Sequence, residues 1–215
     1  MFVNPKIDNV DPNDPLSLAI LVVPKFSFYK CPVKNTISEK EMTIAEVYQL
    51  IKCGNYQKQT EALRAMTDKV KARDFKAQHY DFVTFSGAFT KREADSLIQH
   101  SGLMTLDLDH VSDVKQFKKA LLEDRFFETQ LLFVSPSGDG LKWVVAIDLE
   151  KGTHLEWFVA ITNYIKETYQ FKLDASGKDV CRCCFLPHDP EVYIHPNYLN
   201  CSFSQSFNSK NHANN

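Results

Sequence analysis

The second half of the chain has the most regular pattern in the sequence, because apolar runs of strand length alternate there with segments of helical periodicity. The apolar runs lie at Leu103–Asp109, Gln130–Ser135, Leu141–Ile147 and Val180–Leu186, and the helical segments begin at Ser112 or Asp113 and at Thr153. Counted from Leu103, the predicted order is strand, helix, strand, strand, helix, strand. Only a small set of architectures follows this order.

The order is that of the ferredoxin-like or RRM-like split βαβ fold, so the sequence predicts an α+β protein. An N-terminal α/β elaboration precedes this repeat. It contains a strand at Phe26–Tyr29, a helix at Ile44–Cys53 with Thr43 as its N-cap and a second helix near 59–70. The capping-box pattern at Thr90–Glu93 predicts a further helix that ends near His100.

The length of 215 residues and the hydrophobic content of 44% are sufficient for one domain with a real core. We expect an irregular N-terminus over 1–15, a single domain over 16–200 with its core at about 81–195, and a disordered polar tail over 201–215. The longest apolar run, Leu18–Val23, is too short to span a bilayer, and no basic segment precedes it as in a signal peptide. These features favour a soluble, cytoplasmic protein with no membrane partner.

The net charge of −2 excludes a global basic field that would attract nucleic acid. The densest basic segment is 58–76, which carries six Lys and Arg against three acidic residues and is typical of a solvated helix face. Three of the six cysteines crowd into Cys181–Cys184. This spacing is not that of a zinc knuckle, so packing in the core is the favoured interpretation.

Asp107 and Asp109 close the first strand of the repeat, and side chains two residues apart share one face of a strand. Two neighbouring carboxylates repel each other unless a cation lies between them. Mg²⁺ or Mn²⁺ would satisfy this need and leave positions for phosphate oxygens. The alternative is a pair of solvated acids at the end of a strand.

The turn from Ser135 to Lys142 contains two serines and two glycines. Such a turn exposes backbone N–H groups that bind phosphate, with the lysine as a point charge. The residues that would contribute are Ser135, Ser137, Gly138, Gly140 and Lys142. A simple β-hairpin is the alternative.

The segment 174–190 supplies a further carboxylate from Asp174, for which Asp179 competes, and a guanidinium from Arg182 that could pair with a triphosphate. Both acids are equally compatible with ordinary loop positions. Each of these three elements is weak alone, but the predicted sheet would bring them together.

These motifs resemble those of the archaeo-eukaryotic primase superfamily, the primase-polymerases, and most closely the primase-like N-terminal domain of VirE-type proteins of mobile elements. The resemblance covers about residues 15–200. It rests on the segments Ser86–Phe89, Ser101–Asp109, Ser135–Lys142 and Arg182–Pro190.

The resemblance implies an RRM-like palm that transfers nucleotides with Mg²⁺ or Mn²⁺ held by Asp107, Asp109 and Asp174. Ser135, Ser137, Gly138, Gly140, Lys142 and Arg182 would bind the triphosphate. Lys142 stands where active members of the superfamily have a histidine. The implied partners are nucleoside triphosphates and single-stranded DNA or a primer-template, and a separate helicase is a further candidate.

Two alternatives remain at this stage. The first is a catalytically inactive nucleic-acid-binding or partner-binding module with the same fold, for which Phe133 and Trp143 are candidate stacking residues. The second is another palm-type enzyme, such as a nucleotide cyclase. The motif near Arg182–Pro190 has no place in a cyclase.

Overall fold

The computed structural model describes residues 23–199. The predictions for the irregular N-terminus, for the tail and for nearly all of the apolar run that ends at Val23 lie outside these residues. Within them the protein is mixed α+β and its sheets are antiparallel, which confirms the predicted class. None of the helices in the described part is long and apolar enough to cross a membrane.

The first sheet has the strand order β2-β1-β3-β9 and is built mainly from the N-terminal part of the chain. Its strands are β1 (Lys25–Tyr29), β2 (Lys40–Thr43), β3 (Phe82–Thr84) and β9 (Cys184–Phe185). The predicted strand at Phe26–Tyr29 is therefore confirmed. All four of its residues are buried, which places the strand inside the molecule.

The second sheet has the order β10-β7-β8-β6. Its strands are β6 (Leu103–Leu108), β7 (Thr129–Val134), β8 (Leu141–Ala146) and β10 (Tyr193–Ile194). Strands β6 and β7 are both antiparallel to β8, which lies between them. The three strands predicted between residues 103 and 147 are thus confirmed, with ends that shift by one residue.

Helices α4 (Val114–Leu122) and α5 (His154–Tyr169) follow β6 and β8 as predicted. The Asp113 side chain caps α4, and Thr153 and Glu156 form a capping box at the start of α5. In the N-terminal part, the Thr43 cap of α1 (Ile44–Lys52) is confirmed as well. Local capping chemistry fixes the start of each of these helices.

Three predicted elements are wrong in detail. The single helix near 59–70 is two helices, α2 (Gln57–Arg64) and α3 (Lys69–His79), because Asp68 caps a new helix. The helix expected from Thr90 to His100 is a short 3₁₀ turn followed by β5 (Leu97–His100), which pairs with β4 (Gly87–Phe89). Strand pairing overrides the local capping pattern there.

The third correction concerns the last strand of the repeat, expected at Val180–Leu186. Only Cys184 and Phe185 form a strand, and they pair with β3 of the first sheet rather than with β6. Asp174 begins a 3₁₀ turn (Ala175–Lys178) that packs on β6. The Gly177 position lies between Phe158 of α5 and the Thr105 carbonyl, so this turn, and not a strand, approaches β6.

The second sheet separates two cores. One side packs on α4 and α5 through residues such as Leu106, Trp143 and Ile161. The other side packs on the first sheet and α1 through residues such as Phe133 and Val144. Because Asp107 and Lys142 are opposite each other and Lys142 alternates with Trp143, their side chains face the first sheet.

Candidate phosphate-binding site between the sheets

An ion pair between Asp107 and Lys142 is at the centre of the candidate site. Strand register places the two residues directly opposite each other on β6 and β8, and the Lys142 Nζ contacts the Asp107 Oδ1. The two side chains are only 12% and 13% exposed. Burial by itself lowers the pKa of Lys142, but Asp107, Cys184 and Asp109 together hold it above the ordinary value, so the lysine is charged.

Arg182 links Asp107 to Asp174. One of its terminal nitrogens lies 4.0 Å from the Asp107 Oδ2 and 3.9 Å from the Asp174 Oδ2. The guanidinium is 43% exposed and lies on the solvent side of the Asp107–Lys142 pair. Asp174 also accepts a hydrogen bond from the Ser176 N–H at 2.9 Å, which is the main reason that its pKa is lowered.

Asp109 is exposed beside this cluster, one residue after the end of β6. Desolvation raises the pKa of Asp109, and the neighbouring Asp107 carboxylate adds to that effect, while Lys142 and Lys76 oppose it. The pKa of Asp109 is therefore above the ordinary aspartate value, and a bound cation would oppose this shift.

The turn between β7 and β8 lies at the same end of the sheet. A Cβ atom at Gly140 would lie 2.5 Å from the Leu108 carbonyl oxygen, so only glycine fits there. Gly138 has a left-handed φ of 86°. The backbone geometry therefore explains why glycine is present at both positions. The turn lies against the backbone that carries Asp109.

Polar groups of the turn differ in their availability. The Ser135 and Gly138 N–H groups are used inside the turn, in bonds to Gly140 and Ser135. Ser137 is exposed. The Ser135 hydroxyl is buried and has no hydrogen-bond partner among the described residues, and the same is true of Thr105 on the Asp107 face of β6. Buried hydroxyls ordinarily have a hydrogen-bond partner, so these two are exceptions.

Sequence reasoning missed three residues at the site. Lys76 of α3 lies near Asp109 and Asp107, and its pKa is lowered by burial and by Lys142. Arg64 of α2 donates hydrogen bonds to the carbonyls of Ser135 and Pro136 at 3.2 and 3.3 Å. The basic segment 58–76 contained both, but its helices could not be placed from the sequence.

The third missed residue is Cys184, whose place at the site was not predicted and whose pKa is raised by burial to about 12. It lies near Lys142 and Asp107, whose charges act on it. Core packing is confirmed for Cys184, whereas Cys181 and Cys183 are half-buried. The Cys181 thiol contacts the Asp179 carboxylate at 3.2 Å.

Asp174 and Asp179, the two candidates for the third carboxylate, have different partners. Asp174 pairs with Arg182, whereas Asp179 accepts from Cys181 at the end of the 3₁₀ turn. Phe133 and Trp143 are fully buried in the two cores, so neither is available for base stacking.

The donor atoms of Asp107, Asp109 and Asp174 are of the type that Mg²⁺ and Mn²⁺ prefer. Their arrangement does not form a ready metal site, because Lys142 and Arg182 already face the two oxygens of Asp107. Between residues 23 and 199, no group of three or more His, Cys, Asp or Glu residues could hold a metal ion. The positive charge next to Asp107 comes from the protein itself.

The fold and site define a mixed α+β domain with a cluster of buried and half-buried charges at one end of an antiparallel sheet. The family model described as BT4734-like, N-terminal domain matches residues 74–194, and the chain belongs to this family. The match includes the whole second sheet and every carboxylate of the site. No curated protein and no solved structure matches the chain.

Proposed function

We propose that this domain binds the triphosphate group of a nucleotide at the Asp107–Lys142–Arg182 cluster, as part of a primase-polymerase-like palm encoded by a mobile element. The observation that carries the proposal is the convergence of β6, β8, the β7–β8 turn and the 174–182 segment on one point. Three cations, Lys142, Arg182 and Lys76, meet there beside unpaired hydroxyls.

Strand order supports the RRM-like palm within this proposal. In a split βαβ sheet the third strand of the repeat lies between the first and the second, as β8 lies between β6 and β7. The place of the fourth strand, next to β6, is taken by the 3₁₀ turn that Asp174 caps. Because a turn lies there and not a strand, the Asp174 carboxylate is at the edge that a strand would otherwise cover beside Asp107.

Recognition would proceed by exchange of ion-pair partners. Arg182 is exposed and lies about 4 Å from both of its carboxylates, so it is free to turn toward an incoming phosphate. Lys142 is held by its strand and would supply a fixed positive charge. In the wider proposal, Asp107, Asp109 and Asp174 would supply oxygen ligands to Mg²⁺ or Mn²⁺ bound with the triphosphate once Arg182 has turned away from Asp107 and Asp174. The metal would supply the charge stabilisation that nucleotidyl transfer needs.

A thermal-shift titration with MnCl₂ and nucleoside triphosphate tests this proposal. A ligand at one hundred times its dissociation constant adds about 2.7 kcal/mol, which raises the Tm of a domain of this size by roughly 5–10 °C. We expect Asp107→Asn/Asp109→Asn and Arg182→Ala to lose the shift. Glu167→Gln, an exposed change on α5 behind the second sheet, should keep it. A shift of equal size in all variants would overturn the proposal.

A second candidate is an inactive binding module on the same fold. The observation in its favour is that Lys142 and Arg182 lie next to the two carboxylate oxygens of Asp107. This module would bind nucleic acid or a protein without divalent ions. Triphosphate shifts that require Mn²⁺ would select nucleotidyl transfer, and ligand binding that persists in EDTA would select the module.

A further inference from the structure

Helix α3 is unusual because it has no buried side chain over its 11 residues. A hydrogen bond from the Val33 N–H to the Ala77 carbonyl, at 2.7 Å, connects the helix to the β1–β2 loop, and Lys76 lies over the Phe185 ring. It carries four Lys and Arg residues and one Asp, in a chain whose net charge is −2. A surface helix with this charge is a local basic patch.

Three of the four cations form a stripe along the helix. Lys69, Arg73 and Lys76 follow the i, i+4, i+7 spacing that places side chains on one face. The stripe is about 10 Å long, because an α-helix rises about 1.5 Å per residue. A nucleic-acid strand carries a charge about every 3.4 Å in B-form, so the stripe spans several phosphates.

The stripe leads to the candidate site. Lys76 at its C-terminal end is half-buried and lies within electrostatic reach of Lys142, Asp107 and Asp109. Lys69 and Arg73 are exposed and extend away from it. The only acidic residue within the helix, Asp74, lies 3.8 Å from the Arg73 Nε, and this exposed pair is weak.

An aromatic pair on the same helix favours nucleic acid over an acidic peptide as the partner. The rings of Phe75 and His79 lie 4.5 Å apart, and His79 is exposed. Bases of an unpaired strand stack on such rings with little dependence on sequence. A duplex would keep its bases stacked inside and could not use the pair.

We infer that the Lys69–Arg73–Lys76 stripe of α3 binds the phosphate backbone of a single-stranded nucleic acid and directs the strand to the cluster around Asp107. The inference rests on the proposed function, since it names the strand that would lie beside the bound nucleotide. The strand would run along the outer surface of α3 and meet the site at Lys76.

The test is fluorescence anisotropy with a labelled 20-nucleotide oligothymidylate at several KCl concentrations. We expect Lys69→Gln/Arg73→Gln to weaken binding at least tenfold at low salt. The slope of log K against log[KCl] should fall by about 1.4, because each lost phosphate contact on a single strand contributes about 0.7. The control variant is Lys115→Gln/Lys119→Gln, which removes the same charge from exposed positions of α4, on the other side of the second sheet. It should bind like the unaltered protein.

The inference is overturned if the unaltered protein does not bind the oligonucleotide, or if the α3 and α4 variants lose the same affinity. It is also overturned if a duplex of the same length binds more tightly, since the ring pair would then have no role. The triphosphate thermal shift is read separately on the unaltered protein. There, a shift without oligonucleotide binding defeats the inference alone, and oligonucleotide binding without any shift defeats only the proposed function.

Discussion

At the scale of single residues, the Asp107–Lys142 pair is the feature on which the site depends. Both side chains are nearly buried, so each is costly to leave without the other. Arg182 differs, because it is 43% exposed and water replaces its contacts at little cost. Removal of Lys142 should therefore cost the protein more stability than removal of Arg182, and Arg182 is the cation that can more easily exchange its partner for a ligand.

Lys142→Ala should lower the free energy of unfolding by about 3–5 kcal/mol, because it leaves Asp107 buried beside one distant cation. Arg182→Ala should lower it by less than about 1 kcal/mol. The double variant Asp107→Asn/Lys142→Met removes both charges and should recover most of the loss. Urea denaturation of the single and double variants measures these differences, and strictly additive losses would show that the pair is not coupled.

A second pair, the half-buried His100 and His154, joins the start of β6 to the 3₁₀ turn. The Gly102 N–H donates to the His100 Nδ1 at 3.0 Å, and the His100 Nε2 lies 3.1 Å from the His154 Nδ1. The His154 Nε2 lies 3.4 Å from the Gly177 carbonyl. Since the His100 Nδ1 accepts, its Nε2 carries the proton and donates to His154. These three hydrogen bonds can form together only when both imidazole rings are neutral.

Acid should therefore destabilise the protein through this pair. Burial, with a contribution from His154, lowers the pKa of His100 to about 4, and burial also lowers the pKa of His154. Below the unfolded-state pKa of about 6.5, the unfolded chain binds protons that the folded chain excludes. Stability should fall by about 2–3 kcal/mol between pH 6.5 and pH 4, and His100→Gln should reduce that loss. Urea midpoints across this pH range measure it, and identical pH profiles for the two proteins would contradict the expectation.

At the scale of elements, the contact between the β7–β8 turn and the end of β6 positions the carboxylates. The Val111 N–H donates to the Asp139 carbonyl at 2.8 Å, and the His110 ring contacts the Asp139 carboxylate at 2.8 Å. Arg64 holds the other side of the turn. The turn is thus connected to two neighbouring segments, and its position sets that of Asp109.

Gly140→Ala should disturb this contact, because the added Cβ would meet the Leu108 carbonyl and the backbone would have to move. We expect a loss of about 1–3 kcal/mol in the free energy of unfolding and a weaker triphosphate shift. Gly152→Ala is the matched control, since its Cβ would make ordinary contacts at 3.6 Å. Equal Tm values for the two variants would argue against the close contact.

Sequence patterns predicted elements well where the signal was local. The helix starts at Thr43 and Thr153 and the apolar run of β6 were predicted correctly, because side chain and backbone satisfy each other within a few residues at a helix cap. The similar pattern at Thr90 failed because Leu97–His100 find backbone partners in β4. The spacing of residues within one segment does not show which distant strand that segment will pair with.

The same distinction applies to the site. Asp107, Lys142, Asp174 and Arg182 were predicted to belong together, and the structure brings them within ion-pair distance. The direct contact between Lys142 and Asp107 depends on the register of β6 against β8. The sequence near either strand does not determine this register. The placement of Lys76 depends on how α3 lies on the surface, so it could not be foreseen.

At the scale of the whole molecule, the two sheets share one core. Phe26, Phe28 and Val83 of the first sheet pack in the same cluster as Phe133 and Val144 of the second. The family match begins at residue 74, after β1, β2 and α1. The matched region alone would therefore expose an apolar sheet face.

A fragment of residues 74–194 should fail to unfold cooperatively and should bind a hydrophobic dye, because β1, β2 and α1 no longer cover the second sheet. The full chain should show one sharp transition without dye binding. Calorimetry and dye fluorescence on both proteins measure this difference. A fragment with a sharp transition would show that the second sheet and its helices fold as a unit of their own.

The lysine next to Asp107 also has a consequence for folding. A site whose carboxylates are neutralised only by a bound metal ion would not be fully ordered until that ion binds. Here Lys142 is the counterion of Asp107, so we expect the domain to fold without added metal or nucleotide. Under the proposed function, folding and ligand binding would then be separate steps, and protein purified in a chelating buffer should be fully folded.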